Sequence, residues 1–113
     1  MEANAHDTLI VFTNVPDRAV AMRIAQALVD ERLAACVNVL GGCTSVYRWG
    51  GAVETAEELP LIVKTRAGCY PEVEAAIRRL HPYELPEIVA VRVVRGLSDY
   101  LDWVAEGTAI PIG

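Results

Sequence analysis

Apolar positions along this chain change period several times, and the changes mark its elements. Thr8-Leu9-Ile10-Val11-Phe12-Thr13 is short, apolar and β-branched, and predicts a first strand. Asn14-Val15-Pro16-Asp17 stops it and opens a helix to about Leu33, because Val20, Ile24, Ala27 and Leu28 recur at helical spacing. Residues 34–40 predict a second strand, which Gly41-Gly42 bends and residues 43–49 continue in extended form. Gly50-Gly51 signals a hairpin turn. A third strand follows from Val53 to about Arg66, with Pro60 assigning that part to an edge or a bulge. Pro71 sits near the first turn of a second helix, from about Tyr70 to Leu80, with Val73, Ile77 and Leu80 as its apolar stripe. Ile88 to Val94 predicts a fourth strand, and Ser98 reads as the N-cap of a last short helix, Asp99 to Glu106. The apolar tail Ile110-Pro111-Ile112-Gly113 is expected to pack on a neighbour.

The order β-α-β-β-α-β plus a terminal helix predicts an α+β chain of the ferredoxin-like, split βαβ kind. Its antiparallel sheet carries both main helices on one face. The hairpin of the second and third strands is long against the usual roughly 5–6 residues per strand, so its distal half overhangs the body. With Tyr47 and Trp49 on one side, that overhang predicts an arm for docking on another subunit.

At 113 residues the chain is one domain, with 1–7 as a frayed tail and 8–113 as the folded unit. Apolar residues make up 53%, high for so small an interior, which predicts that a further copy covers some of them. The net charge of −5 argues against a nucleic-acid partner. No apolar run approaches the roughly 20 residues of a membrane helix. The polar, acidic start lacks the pattern of a secretion signal, and the three cysteines, Cys36, Cys43 and Cys69, are odd in number with no C-x-x-C pair. A disulfide framework and a closed zinc site are disfavoured, and reduced thiols in a cytoplasm fit.

One segment concentrates the chemistry. In His81-Pro82-Tyr83-Glu84-Leu85-Pro86-Glu87, two prolines exclude helix interior and hold a histidine, a tyrosine and two carboxylates on a stiff connector. Together with Leu33-Ala34-Ala35-Cys36-Val37-Asn38, Ser45-x-Tyr47-x-Trp49-x-Gly51, Lys64-Thr65 and Tyr100-Leu101-x-Trp103, it resembles the CutA divalent-cation-tolerance family from about Leu9 to Trp103. The resemblance implies a ferredoxin-like subunit in a compact homotrimer, similar in assembly to the PII signalling proteins. It also implies a link to copper tolerance and to binding of copper or other divalent metals, without catalysis. Some members carry a cysteine near the end of the first strand and a second histidine before the His-Pro-Tyr run. Thr13 and Leu80 stand there in this chain.

The metal candidate is therefore His81 with Glu84 or Glu87, completed by water or a neighbouring chain, against the plainer reading that His81 bonds backbone at the helix end. Cys43, beside two glycines, and Cys69, at a helix start, are the thiols expected within reach of a soft metal, and Cys36 is expected to pack in the core. Tyr47 and Trp49 are read as trimer-interface anchors. Lys64 and Arg66 share a strand face and are expected to pair with Glu54, Glu57 or Glu58 within the trimer. No phosphate-binding glycine loop and no nucleophile set is present. Two other roles stay open: a PII-like sensor that holds a small molecule in intersubunit clefts, and a trimeric scaffold for a protein partner.

Overall fold

A computed structural model describes residues 4–112. β1 (Thr8–Val15) buries every second residue, Leu9, Val11, Thr13 and Val15, the period of a strand with one covered face. α1 (Arg18–Asp30) begins where the Asp17 carboxylate accepts the Val20 N–H at 2.9 Å, and buries Val20, Ala21, Ile24, Ala25 and Leu28. It ends earlier than the apolar spacing predicts. The Leu33 N–H bonds the Leu28 carbonyl and the Arg32 N–H bonds that of Val29, with Arg32 in the left-handed region at φ 58°. This is a Schellman ending, sealed by the buried Leu28 and Leu33, with arginine where glycine is usual.

β2 (Cys36–Val39), β3 (Cys43–Trp49) and β4 (Ala52–Arg66) follow, then α2 (Tyr70–Leu80), β5 (Val89–Arg92) and α3 (Ser98–Gly107). The sheet runs β2-β4-β1-β5, every pairing is antiparallel, and β3 pairs with the far half of β4. Gly50 and Gly51, at φ 58° and 82°, make the hairpin turn, a conformation that matches the strand twist and suits glycine. Ile24 and Leu28 of α1 and Val73, Ala76 and Ile77 of α2 close over Val11, Val15, Leu61 and Val63 in one core. Each fully buried Leu or Ile there contributes about 1.5–3 kcal/mol.

Two details depart from the sequence expectation, at residues 4–7 and at Ser98. Pro60, expected at an edge or a bulge, lies at a bulge: it is in β4, the inner strand between β2 and β1, opposite Asn14, where the partner register steps by one residue between Val39↔Leu61 and Cys43↔Glu58. Its carbonyl accepts the Leu40 N–H at 3.0 Å, so its missing N–H faces the break between β2 and β3, where the ladder is already interrupted. Residues 4–7 are not frayed: the Ala67 and Gly68 N–H groups bond the carbonyls of Asp7 and Ala5, both at 2.8 Å. Residues 1–3 of the expected tail, like Gly113, lie outside the described residues. Ser98 is the first residue of α3, not its cap, and Leu97 precedes it without a capping side chain. In the C-terminal segment Ile110 packs on the chain's own core, and Ile112 stays exposed on the side left for the neighbour expected there.

The second face of the sheet is largely bare. By the registers, Ile10, Phe12, Ile62, Val89 and Val91 all point away from the helices. Val89 and Val91 are 52% and 51% exposed, while Ile10, Phe12 and Ile62 are half-buried. α3 closes one end of this face, where the Arg66 guanidinium donates to the Thr108 hydroxyl at 2.7 Å and carbonyl at 2.8 Å. Lys64 donates to the Asn38 side chain. Within the chain neither cation has a carboxylate partner among the described residues, and the expected pairing with Glu54, Glu57 and Glu58 is one between copies.

Candidate functional site

The connector after α2 is held by its histidine. His81 closes α2 in extended geometry, as suits a residue before proline, and is 7% exposed. Its Nε2 lies 2.7 Å from the Asn14 carbonyl, which can only accept, so the proton is on Nε2. The Tyr83 N–H donates to Nδ1 at 3.1 Å. Both ring nitrogens are thus occupied, and the imidazole links the end of β1 to the connector. Of the two readings of His81, the backbone-bonding one describes this geometry. A metal ion at either nitrogen would have to displace one of these bonds.

Beyond His81 the connector crosses toward the hairpin. The Tyr83 ring lies 4.6 Å from that of His81, and its hydroxyl donates to the Glu58 carboxylate at 3.0 Å. Burial, then the Glu58 carboxylate, push the Tyr83 phenol up to about 12. On the other side the Asn14 amide donates to Glu87 at 3.3 Å. Two polar bonds therefore tie one connector to two different strands, and what they enclose is a cleft.

The cleft has a volume of about 720 Å³. The hairpin wall supplies Ser45, Tyr47, Trp49 and Glu58, and the connector wall Tyr83 to Glu87. Tyr47 and Trp49 share a strand face with Ser45 and, across the ladder, with Glu58. Three carboxylates and three aromatic rings line the space, with no lysine, arginine or histidine among the lining residues. The predicted Glu84 and Glu87 are brought together with the predicted Tyr47 and Trp49, which sequence reasoning had assigned to separate roles. His81 stands behind them and does not line the cleft.

The thiols do not join this site. Cys69, expected within reach, is fully buried in the core, whereas Cys36, expected in the core, is half-buried on the bare sheet face opposite Lys64. Cys43 is half-buried, with its sulfur 4.0 Å from the Ser45 hydroxyl. Thr13 faces the core at 1% exposure, and its hydroxyl has no hydrogen-bond partner among the described residues. Among the described residues no three His, Cys, Asp or Glu side chains converge as a ready metal cage. Asn14 and Glu58 were missed from the sequence. Only the register of β1 on β4, and the reach of the Tyr83 hydroxyl, place them at the cleft.

The sheet order, the two helices on one face and the overhanging hairpin define a ferredoxin-like α+β subunit. Solved structures share it: the divalent cation tolerance protein Cut A1 from Thermus thermophilus superposes with a TM-score of 0.89 at 48% identity, over 90% of this chain and 99% of that one. A periplasmic divalent cation tolerance protein CutA from Archaeoglobus fulgidus gives 0.86 at 37% identity, over 88% and 97%. In sequence, the divalent-cation tolerance protein CutA of Thermus thermophilus is 50% identical over 88% of this chain and 96% of its own length. Human protein CutA is 40% identical over 86% of this chain but only 54% of its own length. Residues 9–107 match the family described as CutA1 divalent ion tolerance protein, and the chain belongs to that family.

Proposed function

We propose that this chain acts in divalent-cation tolerance as a cytoplasmic homotrimer that binds copper or a similar divalent ion weakly and without catalysis. The observation that carries the reading is the cleft, with Glu58, Glu84 and Glu87 uncompensated by any basic lining residue. A single chain offers carboxylate oxygens and no closed cage, so water or a neighbouring copy completes the coordination. Such ligands do not choose copper by softness; Cu²⁺ leads only through the general order of divalent affinities. His81 acts from behind as a positioning residue for the connector that carries Glu84 and Glu87. The bare apolar face with Val89 and Val91 supports association with further copies, and the number three comes from the family resemblance. Three unpaired cysteines support a reducing compartment.

The test is Cu²⁺ titration calorimetry on metal-stripped protein at about 0.15 M salt, which screens diffuse charge. The expected result is a saturable site that weakens when Glu84→Gln and Glu87→Gln are combined. Heat that never saturates, or saturation untouched by that pair, overturns it. Sedimentation equilibrium tests the assembly, where a single-chain mass at micromolar concentration removes the trimer.

A further inference from the structure

The cleft carries more than a divalent ion can use. A cation with six waters fills roughly 200 Å³ at ~30 Å³ per water, against the cleft's 720 Å³. Its walls are also largely apolar in character: Tyr47, Trp49, Leu85 and Pro86 line it beside the carboxylates. Tyr47 and Trp49 are 43% and 50% exposed in the single chain; with the homotrimer closed through the bare sheet face of Val89 and Val91, and not through these two rings, they stay open to a ligand. A metal ion gains nothing from such rings beyond a weak cation–π term, because it keeps its water.

The charges are arranged on two walls. Glu58 projects from the hairpin, and Glu84 and Glu87 from the connector, with the rings and the Leu85-Pro86 pair among them. Glu58 is already fixed by the Tyr83 hydroxyl and Glu87 by the Asn14 amide, so two of the three carboxylates are oriented in the empty protein. A ligand matching this pattern has cationic ends and an apolar middle. We infer that the cleft binds a linear aliphatic diamine or polyamine, with its ammonium ends on the carboxylates of the two walls and its methylene chain across Tyr47 and Trp49. Ammonium groups are attracted to aromatic faces as well as to carboxylates, and a pocket of this size suits a small organic ligand. A neutral ligand leaves three carboxylates unanswered, and an anion is repelled.

The inference is independent of the metal reading, since the aromatic wall and not the carboxylates alone carries it. The probe is 1,5-diaminopentane, titrated into the full chain at about 0.15 M salt and followed by calorimetry and tryptophan fluorescence. Pentane-1,5-diol and Mg²⁺ serve as controls for shape without charge and charge without shape. Saturable diamine binding at one per chain is expected, with no response to the diol. Trp49→Leu weakens it about five-fold, and the Glu84→Gln, Glu87→Gln pair roughly ten-fold. Absence of saturation, an equal response to Mg²⁺, or unchanged binding in both variants overturns the inference. The Cu²⁺ titration separates the two readings: saturable copper with no diamine binding leaves the metal site and removes this one, and the reverse leaves only this one.

Discussion

β4 is one strand in two environments. From Leu59 to Arg66 it has β1 on one side and, along Leu61 to Lys64, β2 on the other, and Leu61, Val63 and Thr65 are buried under the helices. From Ala52 to Glu58 it has β3 alone, and no residue is buried. The inner half is stabilised by burial within its own chain. The outer half leaves Val53 open at 63%, and Val46, diagonal to it on the same face of the arm, at 68%. Apolar residues thus fall into two shares: one makes the core, and the other stands open on the arm and on the bare sheet face.

Truncating one residue in each half tests that division directly. Leu61→Ala is expected to cost about 2–5 kcal/mol in guanidinium unfolding, because it opens a cavity under α1 and α2. Val53→Ala is expected to change stability by less than about 0.5 kcal/mol. Similar losses at both positions would mean that the arm is buried in solution, as against a second copy.

Thr13→Val addresses the core from the opposite direction. A buried hydroxyl without a partner costs about 1–3 kcal/mol, and valine keeps the branched shape. The variant is expected to be more stable by about 1 kcal/mol in the same unfolding measurement. A loss instead would show that the hydroxyl is bonded in solution.

What the sequence made legible was local. Asn14 to Asp17 as the opening of the first helix, Gly50-Gly51 as a turn, and Val73 and Ile77 as a stripe each depend on neighbours within a few positions, and all three stand in the structure. What stayed open or came out wrong depends on a distant partner. Pro60 is compatible with an edge or a bulge in the sequence, and only the register step between β2 and β3 along β4 decides for the bulge. Cys36 and Cys69 exchanged their expected burial because covering depends on which face of a strand, or which side of a helix start, the core occupies. Arg66 meets Thr108 across 42 positions, a contact that nothing local in its strand marks. At the site, the connector announced its stiffness and its carboxylates through two prolines, yet the opposing wall could not be read. Nothing in Asn14 or Glu58 marks them until β1 and β4 are in register.

The smallest expected effect tests whether the two walls of the cleft are coupled. The Tyr83 hydroxyl is the direct bond between connector and hairpin, and it donates to a carboxylate near solvent. Removing it in Tyr83→Phe is expected to cost about 0.5–1 kcal/mol, less than a buried bond to a charged group because water competes for this one. The sign with pH follows from the phenol being raised from 10.0 to about 12. Folding favours the protonated phenol, so its contribution is fully present below about pH 10 and lost as pH rises through about 12. The stability gap between parent and variant is therefore expected to be constant through neutral pH and to close only in strong alkali. Phenolate absorbance checks the assignment: of the four tyrosines Tyr70 and Tyr83 are both raised, Tyr83 the further, so the last component to ionise in the parent should be lost in the variant while that of Tyr70 remains. If the amplitude ionising last, near pH 12, is unchanged in Tyr83→Phe, the most raised phenol belongs to another tyrosine, and the hairpin is not tied to the connector through Glu58.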